Sequence, residues 1–420
     1  MSQNAANSHK PSSPGLVLAM LLLVYIFNFV DRQILAILAA PIQQDLGLDD
    51  AQMGMLGGLA FAILYSTLGV PLAWLADRTS RSWVITGSLL VWSLFTALCG
   101  AAQGFWHLFV ARLGVGVGEA GGVAPSYAVI GDHFPSEKRA FALSIYSLGI
   151  PIGAATGVLA GGYVAARVDW RAAFVVVGLA GLLAAVPFRM VVRDKPRPAR
   201  AAPTVRFGEV AATLARKKAF WLLSFGAASS SMLGYGIMFW MPSLLQRSFG
   251  LDLVETSWFL GAILLMGGTV GVLAGGRLAD RLGSADRAFY GWVPAVAYVI
   301  AVPLYAGGIW THSVPTAFLL FLLPQALAYV WLGPVTSAVQ HLVEPAARAT
   351  ASALFLLINN LIGLGGGIYA LGALSKALAP VWGGEALRYS MLIGLALYLL
   401  AALLMALAGP ALRREWVQEG

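Results

Sequence analysis

Long apolar stretches separated by short polar ones run the length of this 420-residue chain. A membrane-crossing helix needs about 20 mostly apolar residues. That ruler finds twelve, at approximate positions 16–38, 52–75, 83–102, 106–130, 138–165, 171–192, 219–246, 255–278, 289–309, 314–340, 347–375 and 387–409. Most connections are short, so no sizeable soluble domain is expected. The longest polar interruption, from Arg193 to Lys218, divides the segments six and six. Its first part is rich in Pro, Ala and Arg and predicts an extended, solvated segment; its second half predicts a short amphipathic helix. The expected organisation is a polar N-terminal tail (1–15), a six-helix bundle (16–192), a linker (193–218), a second six-helix bundle (219–409) and a short tail (410–420).

Composition agrees with this pattern. The chain is 59% hydrophobic and 11% charged, with a mean hydropathy of +0.78, against about 25% charged residues in a soluble protein. It reads as an all-α, multi-pass membrane protein. The first apolar run is too long for a signal-peptide core and lacks a small-residue cleavage site, so it is expected to be retained as helix 1. With both termini in the cytoplasm, 20 of the 27 Lys and Arg lie on that side, 5 on the other and 2 in the membrane, the bias of the positive-inside rule. The same bias explains the net charge of +8, and with no basic-aromatic motif in view no nucleic-acid partner is expected. A single cysteine, Cys99, excludes an internal disulfide and makes a thiolate metal site unlikely to form. No Walker loop, nucleophile elbow or HExxH is found, and the five histidines fall near helix ends or in tails. No enzymatic activity, metal or cofactor is expected.

The two halves echo each other. GVPLAWLADRTSR follows helix 2, and GVLAGGRLADRLGS follows helix 8. PSEKRAFALS and EPAARATASA each precede the fifth helix of their half. Two six-helix repeats related by an axis along the membrane normal are an architecture of secondary transporters.

Four ionisable residues fall inside apolar segments: Asp31 and Arg32 in helix 1, Arg112 and Glu119 in helix 4. A charge near mid-membrane costs roughly 2.5–3.5 kcal/mol on insertion scales, so each is a functional-site candidate. Arg112 and Glu119 are about two turns apart on one face, and glycines thin the rest of that helix. At 1.5 Å per residue Asp31 and Arg112 lie about 22 and about 21 Å from the cytoplasmic end, a shared depth that makes an Asp31–Arg112 pair geometrically reasonable. Asp31 and Arg32 point about 100° apart, so one faces a cavity while the other packs or reaches around. A neutral structural cluster is the competing reading, but a buried ion pair stabilises poorly compared with packed hydrophobes. The expectation is proton coupling with anion binding: Asp31 and Glu119 carry protons, and Arg32 and Arg112 anchor a phosphate or carboxylate.

On these residues the chain resembles known transporters. The stretch from Gly69 to Arg81 resembles the loop motif of the major facilitator superfamily, which implies two pseudo-symmetric six-helix bundles working by alternating access. Gly69 and Ala73 lack bulk and let helices approach. Asp77 suits a neighbouring helix N-terminus, while Arg78 and Arg81 hold the cytoplasmic side. Asp280 and Arg281 repeat the pattern in the second half, although Val272 replaces the first glycine. SLGIPIGAATGVLAGG in helix 5 is similar to the glycine-proline motif of exporters and antiporters, which implies export. NFVDRQILAILAAPIQQDLGLDDAQMGML and RLGVGVGEAGGVAPSYAVIGDHFPSEKRA resemble spinster segments. That resemblance implies transport of sphingosine-1-phosphate or lysophospholipids, with Asp31, Arg32, Arg112 and Glu119 in coupling and headgroup recognition, and a monomer. The compact, Ala- and Gly-rich chain looks bacterial, which implies the inner membrane.

Helices 7 to 12 carry no Asp, Glu, Lys or Arg in their middles, but helix 7 offers Tyr235, Phe239 and Trp240, helix 10 Gln325, Tyr329 and Trp331, and helix 11 Asn359 and Asn360. Tyr235, Trp240, Tyr329 and Asn359 are the expected substrate contacts from this half, although aromatics in such helices commonly pack and Asn commonly glues helices. A cavity charged on one wall and aromatic on the other suits an amphiphile. The expected function is proton-coupled export of a lipid-like anion or zwitterion; the rival is an importer of a small organic anion such as a sugar acid.

Overall fold

The computed structural model describes residues 13–194 and 207–417; the tails outside them, linker residues 195–206, and the side chains of residues 136, 137, 140, 272–280, 284, 346 and 349 lie outside that description. Span 1 is Pro14–Ile37, continued after a break by Ala39–Leu46. Asp50–Gly57 and Leu59–Arg78 form span 2, Arg81–Cys99 span 3, and Phe105–Ala120 with Val123–His133 span 4. Ser136–Ser147 with Gly149–Arg167 forms span 5, and Trp170–Val191 span 6. The amphipathic helix expected in the linker is Phe207–Ala215. Lys218–Phe249, Leu253–Ala285 and Phe289–Trp310 are spans 7, 8 and 9; Val314–Leu327 with Leu332–Gln340 is span 10. Span 11 runs Arg348–Ile358, a π-helical Asn359–Gly366, then Gly367–Trp382; span 12 is Ala386–Gly394 with Ala396–Glu415.

Ten helical runs among the described residues are long and apolar enough to cross a membrane, the last being the 66 residues Thr350–Glu415. A straight helix of that length would reach about 100 Å, roughly three bilayer cores. Gly383, at φ 51°, turns it into two passages. Span 4 falls outside the ten because its break leaves pieces of 16 and 11 residues. Counting both brings the number to twelve.

Several spans are discontinuous for a covalent reason. Pro41, Pro125, Pro151 and Pro334 lack the N–H that would reach the carbonyls of Ile37, Gly121, Ser147 and Val330. Helix breaks occur at those places. Pro71 and Pro242 sit inside unbroken helices, so proline alone does not suffice. In spans 4 and 5 neighbouring Gly121, Gly122 and Gly149 add backbone freedom.

The packing repeats between halves. Span 1 packs on span 5, span 2 on span 4, span 3 on spans 4 and 6; correspondingly span 7 packs on span 11, span 8 on span 10, span 9 on spans 10 and 12. The halves meet through span 2 against span 11 and span 5 against span 8. At the first seam a Cβ on Gly58 would stand 2.7 Å from the Gly365 carbonyl oxygen, and one on Gly54 2.9 Å from that of Ile368. Only glycine permits this approach.

Polar contacts between the halves gather on the face opposite the chain ends. Arg247, at the end of span 7, donates to both carboxylate oxygens of Asp50 at 2.8 and 2.9 Å and to Gln43 at 2.8 Å. Ser375 of span 11 donates to the same carboxylate at 2.6 Å, and Lys376 pairs with Asp49 at 2.9 Å. On the chain-end face the described contacts stay within a half. Arg81 joins Asp77 (2.7 Å) to Asp132 (2.5 Å), Arg413 pairs with Asp286, and the Glu415 carboxylate accepts from the N–H groups of Lys218 and Ala219 at the start of span 7. The Arg413 hydrogen bond holds the Asp286 carboxyl at about 2. The protein is latched on one face.

Asp50→Asn breaks the bidentate clamp, and the population open on that face should rise by about 5- to 150-fold, the effect of 1–3 kcal/mol. Electron-spin distances between labels on Leu46→Cys and Ala379→Cys, in a Cys99→Ser background, report it; an unchanged distribution would show that the clamp does not hold the face shut. Burial pushes the Asp49 carboxyl up, but the Lys376 hydrogen bond and backbone N–H groups outweigh it and leave it below its ordinary value. A depressed carboxyl contributes fully above its unfolded value, about 3.9, and loses that contribution as pH falls through the folded one. The same labels should therefore keep their distance between about pH 8 and pH 5, with loosening from this pair only below about pH 4.

Candidate functional site

Span 1 carries Asn28, Asp31, Arg32 and Gln33, all but Arg32 buried. The ion pair formed here is Arg32–Glu119, Nε to Oε2 at 2.9 Å, with Glu119 wholly shielded and Arg32 12% exposed. Asp31 and Arg112 are not within ion-pair distance, which corrects the pairing expected from depth alone. The reason is angular. Once the long Arg32 side chain reaches across to span 4, Asp31, about 100° away, turns toward span 3, where it faces Thr96 and remains within electrostatic reach of Arg112, Glu119 and Arg32. Arg112 and Asp31 both act on Cys99, which places the lone thiol among them.

The Arg32 guanidinium lies 4.7 Å from the Tyr65 ring centre, 4.9 Å from Phe61 and 5.2 Å from Phe29. The Arg112 guanidinium lies 5.3 Å from the centre of the same Phe61 ring. Aromatic faces attract such cations, more so when water is excluded. Hydrogen-bonding capacity is left open: neither amide atom of Asn28 has a partner, nor do Asp31 Oδ1, Arg112 Nε, Glu119 Oε1 and Thr96 Oγ1. Asn28 lies beside Glu119 and Thr96 beside Asp31, so polar side chains of spans 1 and 3 gather around the two carboxylates.

A cavity of about 30 Å³ joins Phe29, Arg32, Phe61 and Arg112 to Tyr235, Met238 and Phe239 of span 7 and to span 11. That is about the share of one water in the liquid. A lipid headgroup does not fit until the halves part.

Of the residues expected from the second half, Tyr235 lines this cavity and acts electrostatically on Arg32. Tyr329 stands beside Gln325 and within reach of Tyr235. Trp240 is fully buried and donates its indole N–H to the Ile368 carbonyl at 2.9 Å; it has no face on the cavity, and its neighbour Phe239 lines it instead. Asn359 is buried and accepts from Ser231 at 2.9 Å, joining spans 7 and 11. In the loop motif Gly69 is part-buried, with nothing within 4 Å of a built Cβ, so the close approach expected there is not made. Asp77 and Arg81 pair, and the exposed Arg78 lies over Trp74 at 3.9 Å. The side chain of Asp280 lies outside the described residues, and Arg281 is exposed.

Sequence reasoning passed over Thr96, Asn28, Phe61 and Tyr65. Asn28 lies three residues before Asp31, and Phe61 and Tyr65 share a helix face by their spacing of four; those were the available signals. Thr96 had none, being one of several hydroxyl residues in span 3.

The sequence profile of the Major Facilitator Superfamily matches residues 21–367. The chain belongs to that superfamily. As a superfamily transporter it is similar to an MFS-type efflux pump of Mycolicibacterium smegmatis, at 32% identity over 99% of this chain and 97% of that protein. It is similar to Homo sapiens protein spinster homolog 1, at 28% identity over 89% of this chain and 75% of that protein. Its fold matches the crystal structure of a bacterial homolog of the human lysosomal transporter spinster, inward-facing and unoccupied, with a TM-score of 0.87 and 28% identity over 97% of this chain and 99% of that one. It is a spinster-like, multi-pass superfamily transporter and not an enzyme.

Removing one partner of a buried pair costs about 3–5 kcal/mol because the other charge is stranded. Glu119→Gln should therefore lower thermal stability, and Arg32→Gln added to it should restore part of the loss. Strictly additive losses in a double-mutant cycle would show that the two residues are not coupled.

Proposed function

We propose that this protein is a proton-coupled secondary active transporter that exports an amphipathic anion or zwitterion, such as a sphingoid phosphate or lysophospholipid, by alternating access. The observation that carries this reading is the buried Arg32–Glu119 pair with Asp31 and Arg112 within electrostatic reach of it. In a low-dielectric site a carboxylate keeps its charge while a guanidinium adjoins it and favours its proton when the guanidinium leaves. An incoming phosphate competes with Glu119 for Arg32, because guanidinium binds both in the same forked geometry. Substrate and proton thereby displace each other at one arginine. Asp31, held off from the pair, supplies a second carboxylate, and Arg112 a second anchor.

Wall chemistry supports an amphiphile. The second half contributes Tyr235, Met238 and Phe239 to the cavity and no charge. Such a wall suits an alkyl chain; a sugar acid would require converging polar groups. Export is supported by the glycine-proline stretch of span 5 and by the similarity to an MFS-type efflux pump. The basic-residue bias supports cytoplasmic termini in a bacterial inner membrane. In that orientation the latched face is the outer one and the structure is inward-facing. Asp77, Arg78 and Arg81, with Asp280 and Arg281, then act at the cytoplasmic gate, and the protein works as a monomer with no cofactor.

Reconstitution with an internal pH dye tests the reading. Lysophospholipid or sphingoid phosphate should trigger proton movement, Asp31→Asn should abolish it, and Arg112→Ala should weaken apparent substrate affinity by about 10- to 100-fold, the worth of a charge-assisted contact of 1.5–3 kcal/mol. Wild-type behaviour in both variants would sink the site assignment, and a response to a sugar acid alone would sink the substrate class.

A further inference from the structure

A second cavity lies away from the seam between the halves. It is a groove of about 840 Å³ on the outside of the first bundle, where the start of span 3 meets the end of span 6 on the chain-end face. Pockets of this size hold drug-sized ligands. Its polar end contains Arg189, Arg193 and Asp194. Both oxygens of the Asp194 carboxylate are engaged by span 3, accepting from the hydroxyls of Ser80 and Ser82 and from the Ser82 N–H at 3.1 Å. Neither arginine pairs with a carboxylate among the described residues. Arg189 lies over the Trp83 ring at 4.4 Å, and its Nε is buried without a partner.

Below these cations the groove turns apolar, and its walls are exposed: Trp83 56%, Leu90 40%, Val186 59% and Met190 68%. A tryptophan beside arginines, next to exposed aliphatics at the end of two spans, is the arrangement found at a membrane interface. Unpaired cations above apolar walls match one kind of molecule: an amphiphile with an anionic head. We propose that this groove binds an anionic phospholipid of the adjoining leaflet, its phosphate held by Arg189 and Arg193 and its acyl chains laid along Trp83, Leu90, Val186 and Met190. This site faces lipid, on spans 3 and 6, and is separate from the cavity between the halves. It also adjoins the connection between spans 2 and 3 that carries Ser80 and Arg81. An occupying lipid therefore steadies the Ser80–Asp194 tie between that connection and the chain leaving span 6.

Native mass spectrometry of the intact protein, presented with equal phosphatidylglycerol and phosphatidylcholine, tests the proposal without any substitution. Phosphatidylglycerol adducts should dominate; equal adducts would overturn it. Arg189→Gln with Arg193→Gln should weaken phosphatidylglycerol retention by about 10- to 30-fold, from the known attraction of basic side chains for anionic lipid. Unchanged retention in a variant that elutes as wild type would also overturn it. Should that variant not fold, Arg189→Lys with Arg193→Lys keeps the charges and must keep most of the preference. Glycerol 3-phosphate at millimolar concentration separates lipid from free phosphate: it should leave thermal stability unchanged where phosphatidylglycerol raises it, and equal stabilisation by both would assign the groove to a soluble phosphate instead.

Discussion

The cost of keeping charge inside a membrane governs this structure. Glu119 is wholly shielded and held by Arg32 through Oε2 at 2.9 Å, with Asn28 beside it. Removing either partner would strand the other charge in a low-dielectric site. Three aromatic rings around the Arg32 guanidinium offset part of that cost without fixing the cation in place. The pair ties span 1 to span 4 inside the first bundle.

The two faces of the protein solve a related problem. On the latched face the charged partners are drawn from different halves: Asp49, Asp50 and Gln43 meet Arg247, Ser375 and Lys376. On the chain-end face Arg81, Arg413 and Glu415 find described partners within their own half. The same kinds of residue thus either join the halves or stiffen each one. Glycine contacts between spans 2 and 11 bring backbones together beneath the latch, and these contacts have no side chains to repack when they separate. A seam of that kind opens as a unit.

Much of the fold was legible in the sequence because hydrophobic length is a local property. Twelve apolar runs, the central linker with its amphipathic helix and the four intramembrane charges all follow from composition in a window. Partner choice did not. Depth suggested Asp31 with Arg112, but the reach of Arg32 and the rotation between adjacent residues decided otherwise. Asp50 and Arg247 sit at helix ends 197 positions apart, where isolated charges read as solvated. Trp240 and Phe239 are neighbours in sequence, and which of them meets the cavity depends on the packing of Gly372 and Ile368 in span 11.

The asymmetry of the halves gives the last step. Their packing is repeated span for span, yet all four intramembrane charges lie in the first, while the second presents Tyr235, Met238 and Phe239. Charges divided between the halves would have to be separated at every opening, at a cost that grows as the dielectric falls. Confining them to one half lets the bundles part against an aromatic and aliphatic surface, which is cheap to wet and to cover again. On the proposed mechanism, rearrangement of charge would stay within the first bundle, between Arg32, Glu119, Asp31 and Arg112, and the motion between bundles would be coupled to it through what occupies the space beside Arg32.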